Sequence, residues 1–240
     1  MLLAGCGWLV VQWLDWSRLF SFAATGRWEE YLLSRQIKLL LSVIVAVLVG
    51  MTGREALSKR DRWLMCGVFG AVVAADVAFF LDNYQAGIGL FSLAQIVFIV
   101  RHATGVPALV RSGQRAKILW LSLAAIVIVL VNVVLIRVLF IRHADNSMFP
   151  FIIGYSILLC CSLWAGVTSG LTGSLPKVNS RLVALAVVVL YCGDLAVGLN
   201  IVLPHDRSYI ISTSLTWFFY LPAIVLLALS GYRWRQRTTT

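Results

Sequence analysis

Long apolar runs recur along the chain at near-regular intervals, with polar and charged residues gathered between them. Stretches such as LLLSVIVAVLVG and ILWLSLAAIVIVLVNVVLI are continuous and lack the apolar/polar alternation of a barrel strand. A helix needs about 20 apolar residues to cross a bilayer. Seven segments meet that requirement: 37–53, 63–81, 85–100, 117–139, 149–169, 181–202 and 209–231, the third of these being short. An eighth, 2–22, opens the chain but is interrupted by Gln12, Asp15 and Arg18, with Trp8, Trp13 and Trp16 placed as interfacial anchors. The pattern predicts an all-α, polytopic transmembrane helical bundle of about eight spans. No linker-like tract divides it, so residues 1–240 are expected to form a single integral membrane domain.

Composition agrees: 60% of the 240 residues are hydrophobic and 12% charged, against about 25% charged in soluble domains. The net charge of +10 is scattered through short loops, which speaks for membrane orientation rather than nucleic-acid binding. With eight spans, 13 of the 20 basic residues fall on the side holding both termini, among them Arg54, Arg60, Arg101, Arg115 and Arg233. Both termini are therefore expected in the cytoplasm. No basic stretch precedes the first apolar segment, so a cleaved signal peptide is not expected. The five cysteines sit in apolar runs without a CxxC pair. His102, His143 and His205 fall at span ends on differing sides, which argues against a metal site. No GxSxG, HExxH or Walker motif occurs.

Against this apolar background two carboxylates stand out. Asp76 lies in GVFGAVVAADVAFFL and Asp194 in LVALAVVVLYCGDLAVGLNIVL. A charge near the bilayer centre costs about 2.5–3.5 kcal/mol on the lenient insertion scale, so such residues face the bundle interior and are functional candidates. Each lies about 13 residues into a span that begins on the same side, which puts both at similar depth, somewhat past the midplane. As packing devices they would simply hydrogen-bond between helices. As a pair they suit a division into general acid and anionic base, as in reactions through an oxocarbenium ion. A proton relay in a transporter needs the same residues.

Other polar residues inside or beside spans are Gln95, Asn83, Tyr84, Asn132, Tyr155 and Asn200, each open to interhelical hydrogen bonding. Asp82 reads as a solvated loop-end residue. The aromatic run Trp217, Phe218, Phe219, Tyr220 in the last span is a packing cluster or, alternatively, a wall for an acyl or alkenyl chain.

The arrangement resembles the YhhN-like lysoplasmalogenase family of eight-span membrane proteins. GVFGAVVAADVAFFL is similar to that family's third span, with Asp76 at the acid and Ala75 where a glycine is usual. In GIGLFSLAQIVF, Gly87, Phe91 and Ala94 match the fourth-span pattern, while Gln95 replaces a histidine and Phe98 a tyrosine. Gly193-Asp194 stands for a Ser-Asp step, and Tyr155 opens a matching sixth-span run. Lys38 is followed by Leu39 rather than proline, and a glutamine usual in the last span is missing near Ala223.

The resemblance implies hydrolysis of the vinyl-ether bond of lysoplasmalogens to a fatty aldehyde and a glycerophospho-base. Asp76 and Asp194 would be catalytic, with Gln95, Tyr155, Lys38, Tyr84 and Asn200 as substrate-binding candidates. It implies neither metal nor organic cofactor, a membrane lysophospholipid as partner, and residence in the bacterial inner membrane. Gln95 can hydrogen-bond but cannot shuttle a proton. A catalytically inactive relative serving as a binding protein, and a proton-coupled transporter or lipid-handling protein, are the competing expectations.

Overall fold

In the computed structural model, which describes residues 2–25, 32–140, 149–203 and 207–234, the chain is a bundle of helices. The long ones are α1 (Leu2–Thr25), α2 (Leu32–Met51), α3 (Lys59–Phe80), α4 (Tyr84–His102), α6 (Arg115–Leu135), α7 (Phe149–Thr172), α8 (Lys177–Val202) and α9 (Arg207–Ser230). A six-residue helix, α5 (Val106–Arg111), follows α4, and Ile136–Phe140 extends α6 as a π-helical turn. Each expected span has its helix, with ends within a few residues of the hydropathy boundaries. Helix α5 fills a stretch that the sequence pattern reads as loop.

Among the described residues, seven of these segments are long and apolar enough to cross a membrane, those from α2 onward. Helix α1 has its Gln12, Asp15 and Arg18 buried. It lies antiparallel to α2: Gly7 sits against Leu41, and Asp15 pairs with Ser34 and Lys38. The three polar residues that weaken its apolar character therefore face protein, where they find partners that lipid cannot offer.

Helix α3 starts at Ser58, whose side chain accepts from the Asp61 N–H, a standard cap for the open amides of a first turn. Asn83 caps α4 in the same way through Ala86 N. Between them Asp82 takes a left-handed backbone (φ 57°), a conformation Asp tolerates better than most side chains. Arg35 from α2 closes the corner, donating to the Phe79 and Phe80 carbonyls and to exposed Asp82 at 2.8 Å.

Helix α3 packs on α2 and α4, α4 on α7, α7 on α6 and α8, and α8 on α9, which also meets α1 and α2. The buried core joins Val68, Phe69 and Val72 of α3 with Phe98 of α4, Val187 of α8 and Leu227 of α9. Helix α6 stands at the edge. Leu119, Trp120, Ile126 and Leu130 are exposed there, as expected where the solvent is lipid.

Candidate functional site

Asp76 and Asp194 occupy equivalent places. Each comes seventeen residues after the first residue of its helix, Lys59 in α3 and Lys177 in α8, a rise of ~25 Å. The helices run in the same direction. Asp61, near the start of α3, and Asn179, near the start of α8, converge on Ser230 at the end of α9, the first through Arg101. The matched depth anticipated from the spans therefore holds in three dimensions.

Tyr220 of α9 is hydrogen-bonded to one of the two acids. The Tyr220 hydroxyl donates to Asp76 Oδ2 at 2.8 Å, and Asp194 is within electrostatic range of the same phenol. Ser42 of α2 lies against both Asp76 and the Tyr220 hydroxyl. Helices α8 and α9 approach closely here: a Cβ on Gly193 would stand 3.5 Å from Tyr220 N. Phe91 of α4 packs on the Tyr220 ring at 5.8 Å, and Phe79 on Phe91 at 6.2 Å. That stack requires Gly87, because any Cβ there would meet the Phe79 ring at 2.6 Å.

Gln95, fully buried, donates through Nε2 to Asp194 Oδ2 at 3.2 Å. Tyr155 of α7 interacts with both of them. Asp194 and Gln95 border a narrow crevice with Leu159, Ser162, Val187 and Leu190, too tight to hold a water molecule. Gln95 Oε1 and Ser162 Oγ are buried there with no hydrogen-bond partner. Unpaired polar atoms in an apolar setting are costly, so this crevice offers an acceptor and a hydroxyl to whatever enters it.

Of the substrate-binding candidates, Gln95 and Tyr155 thus gather directly around Asp194. Lys38 lies one turn from Ser42 on α2, paired with Asp15 at 2.6 Å and with its Nζ 5.7 Å from the centre of the Trp217 ring. Trp217 packs edge-on against Tyr220 at 5.0 Å. Asn200 bonds Ser212, Thr213 and Thr216, joining the ends of α8 and α9. Tyr84 opens α4, half-exposed beside Phe79 at 6.2 Å. It is eleven residues before Gln95, ~16 Å along the helix.

Tyr220 and Ser42 escaped the sequence reading as site residues. The only signal for Tyr220 was its place in the aromatic run, which the structure divides. Tyr220 is buried, Trp217 is partly buried under Lys38, and Phe218 is largely exposed. A second polar cluster was also missed. Arg101, counted among the loop cations, is 2% exposed. It grips Asp61 through two bonds of 2.7 and 3.2 Å and also donates to Ser230 Oγ and O. Both Arg101 and Asp61 sit within a turn of a helix end, where hydropathy suggests solvent.

Among the described residues no three His, Cys, Asp or Glu side chains converge to hold a metal ion. His102 contacts Arg101; His143 and His205 lie outside the described residues.

No curated protein and no solved structure matches the chain. A family model does, that of the YhhN family, over residues 33–231. The match spans every helix from α2 to α9 and both intramembrane acids, and so the chain, an integral membrane helical bundle, belongs to the YhhN family.

Proposed function

We propose that this protein is a membrane hydrolase that cleaves the vinyl-ether bond of lysoplasmalogens, with Asp76 and Asp194 as its acid and base. The observation that carries the reading is that both buried carboxylates are met by uncharged polar groups, Asp76 by the Tyr220 phenol and Asp194 by the Gln95 amide. One aspartic acid protonates the β-carbon of the vinyl ether. The resulting oxocarbenium ion is stabilised by the carboxylate across the site. Water adds to that cation while the carboxylate takes its proton. The hemiacetal then collapses to a fatty aldehyde and a free glycerol hydroxyl, with no net consumption of protons.

Membership of the YhhN family supports the assignment, and so does the chemistry of the partners. Tyr220, Ser42, Gln95 and Tyr155 carry no charge that would neutralise either acid permanently. Gln95 orients Asp194 and does not itself exchange protons. The tight crevice at Gln95 and Ser162 has to widen for water or substrate, and its unpaired polar atoms favour that opening. The excess of basic loop residues supports an orientation with both termini, and with them the Arg101 end of the bundle, in the cytoplasm.

The test is direct. Purified protein in detergent is incubated with a 1-alkenyl-glycerophosphoethanolamine, and released aldehyde is followed through a coupled aldehyde dehydrogenase. Aldehyde formed by the parent and lost in Asp76→Asn and Asp194→Asn is the expected result. A folded parent that releases none would overturn the hydrolase reading and turn attention to proton-coupled transport or lipid binding.

A further inference from the structure

We infer that the buried Asp15–Lys38 pair is the recognition site for the zwitterionic headgroup of the lysolipid, with Lys38 taking its phosphate and Asp15 its ammonium. The inference rests on the proposed hydrolysis for the identity of the lipid, but its geometry is separate from the acids.

The pair is an unusual feature to bury. Asp15 is 1% exposed and Lys38 6%, and two charges removed from water gain little stability over apolar side chains of the same volume. Two features around it bear on a ligand with one negative and one positive group. Gln12, one turn before Asp15 on α1, is 8% exposed, and its Nε2 has no hydrogen-bond acceptor. The face of the Trp217 ring is taken by Lys38 Nζ at 5.7 Å, which steadies the ammonium in place. A phosphoethanolamine-type headgroup entering here exchanges one ion pair for two of the same kind. No unpaired charge is left in the interior.

Spacing supports the same assignment. Lys38 and Ser42 are one turn apart on α2, ~6 Å, and Ser42 lies against Asp76. A phosphate held at Lys38 would lie on the face of α2 that also carries Ser42 toward Asp76. Asp15 and Gln12 belong to α1, which precedes the region matched by the family model. In this chain the first helix completes the site.

The experiment measures binding rather than turnover. Radiolabelled 1-O-hexadecyl-glycerophosphoethanolamine and 1-O-hexadecylglycerol are saturated ethers that protonation at carbon cannot cleave. Both are titrated against the full-length protein in an uncharged maltoside detergent. The parent should bind the phosphoethanolamine lipid at least about tenfold more tightly, the size of one charge-assisted hydrogen bond. The double variant Asp15→Leu/Lys38→Met removes both charges together, so neither is stranded. It should lose the preference and keep its affinity for hexadecylglycerol. Gln12→Leu should weaken the phosphoethanolamine lipid alone. Equal affinities in the parent, or a preference that survives the double variant, would overturn the inference. Failure of aldehyde release with the headgroup preference intact would sink the hydrolase reading and leave this one standing.

Discussion

At one end of the bundle Arg101 directs its guanidinium at Asp61, Ser230 and His102. Nearer the other end, Asp76 and Asp194 face hydroxyls and an amide. Both groups are charged side chains in an apolar interior, yet they are completed in opposite ways. Arginine only donates, so His102 Nε2 must accept, which leaves the ring proton on Nδ1. Asp61 answers the charge of Arg101 with two oxygens, and Asn179 adds bonds to the Ser230 and Tyr232 carbonyls at 2.8 Å. The result ties α3, α4, α8 and α9 together and leaves Arg101 with no donor free for chemistry. The two acids are held in place by neutral neighbours, so each remains able to give or accept a proton. A buried charge matched by its opposite fixes structure, whereas one matched by dipoles alone stays available for reaction.

The sharpest way to break this comparison is to neutralise an acid. Asp76→Asn and Asp194→Asn keep the shape and can still accept from Tyr220 or Gln95. Aldehyde release should fall by ~10²–10⁴-fold, the usual contribution of a general acid or base. The thermal midpoint should move by less than ~4 °C, equivalent to ~1 kcal/mol in a chain of this size. A variant that lost its fold as well as its turnover would show that the acids are packing elements after all.

Arg101→Met should do the reverse. It strands Asp61 without its partner, a loss of ~3–5 kcal/mol for a buried pair, read as a lowered midpoint in detergent. Turnover per folded molecule should be unchanged. The double variant Arg101→Met/Asp61→Leu should recover much of the loss, since no charge remains to be satisfied. Reduced turnover in the folded fraction would mean that the clamp communicates with the acids through α9.

Tyr220→Phe falls between these two extremes. It keeps the ring against Phe91 and Trp217 and deletes the hydroxyl that bonds Asp76. A hydrogen bond to a charged group contributes ~1.5–3 kcal/mol, so kcat should drop by ~10–100-fold with little change in stability. An effect on KM alone would move Tyr220 from the reacting groups to the lipid-binding wall.

What the sequence revealed and what it concealed follow the same division. The spans were legible because hydropathy reports contact with lipid, and α3 to α9 face lipid over much of their length. Asp76 and Asp194 were legible as buried polar groups because an acid in mid-span stands out against an apolar run. Asp61 and Arg101 were not, because at span ends the same residue types are usual in solvated loops. Asp15 read as an interruption of the first span and Lys38 as a substrate-binding candidate, and nothing in the sequence paired them, although α1 and α2 bury them against each other. Partners were the least legible of all. Nothing in the aromatic run distinguishes Tyr220, which meets Asp76, from Phe218, which is largely exposed.

The smallest expected effect tests whether being near an acid is enough to matter. Tyr191 lies three residues before Asp194 on α8 and borders the same crevice. Its hydroxyl, however, is given to Asn132 of α6 at 2.8 Å. That bond joins the edge helix to the bundle, much as Trp164 does by donating to the Leu121 carbonyl at 2.9 Å. Hydrogen bonds between membrane helices average ~0.6 kcal/mol in double-mutant cycles, because partners are also found when the helices separate. Tyr191→Phe should therefore lower the midpoint by only a few degrees at most and leave aldehyde release intact. If turnover fell as far as in Tyr220→Phe, distance from Asp194 would govern function rather than the atom to which a hydroxyl donates. The distinction between fixed and available polar groups would then fail at its most local point.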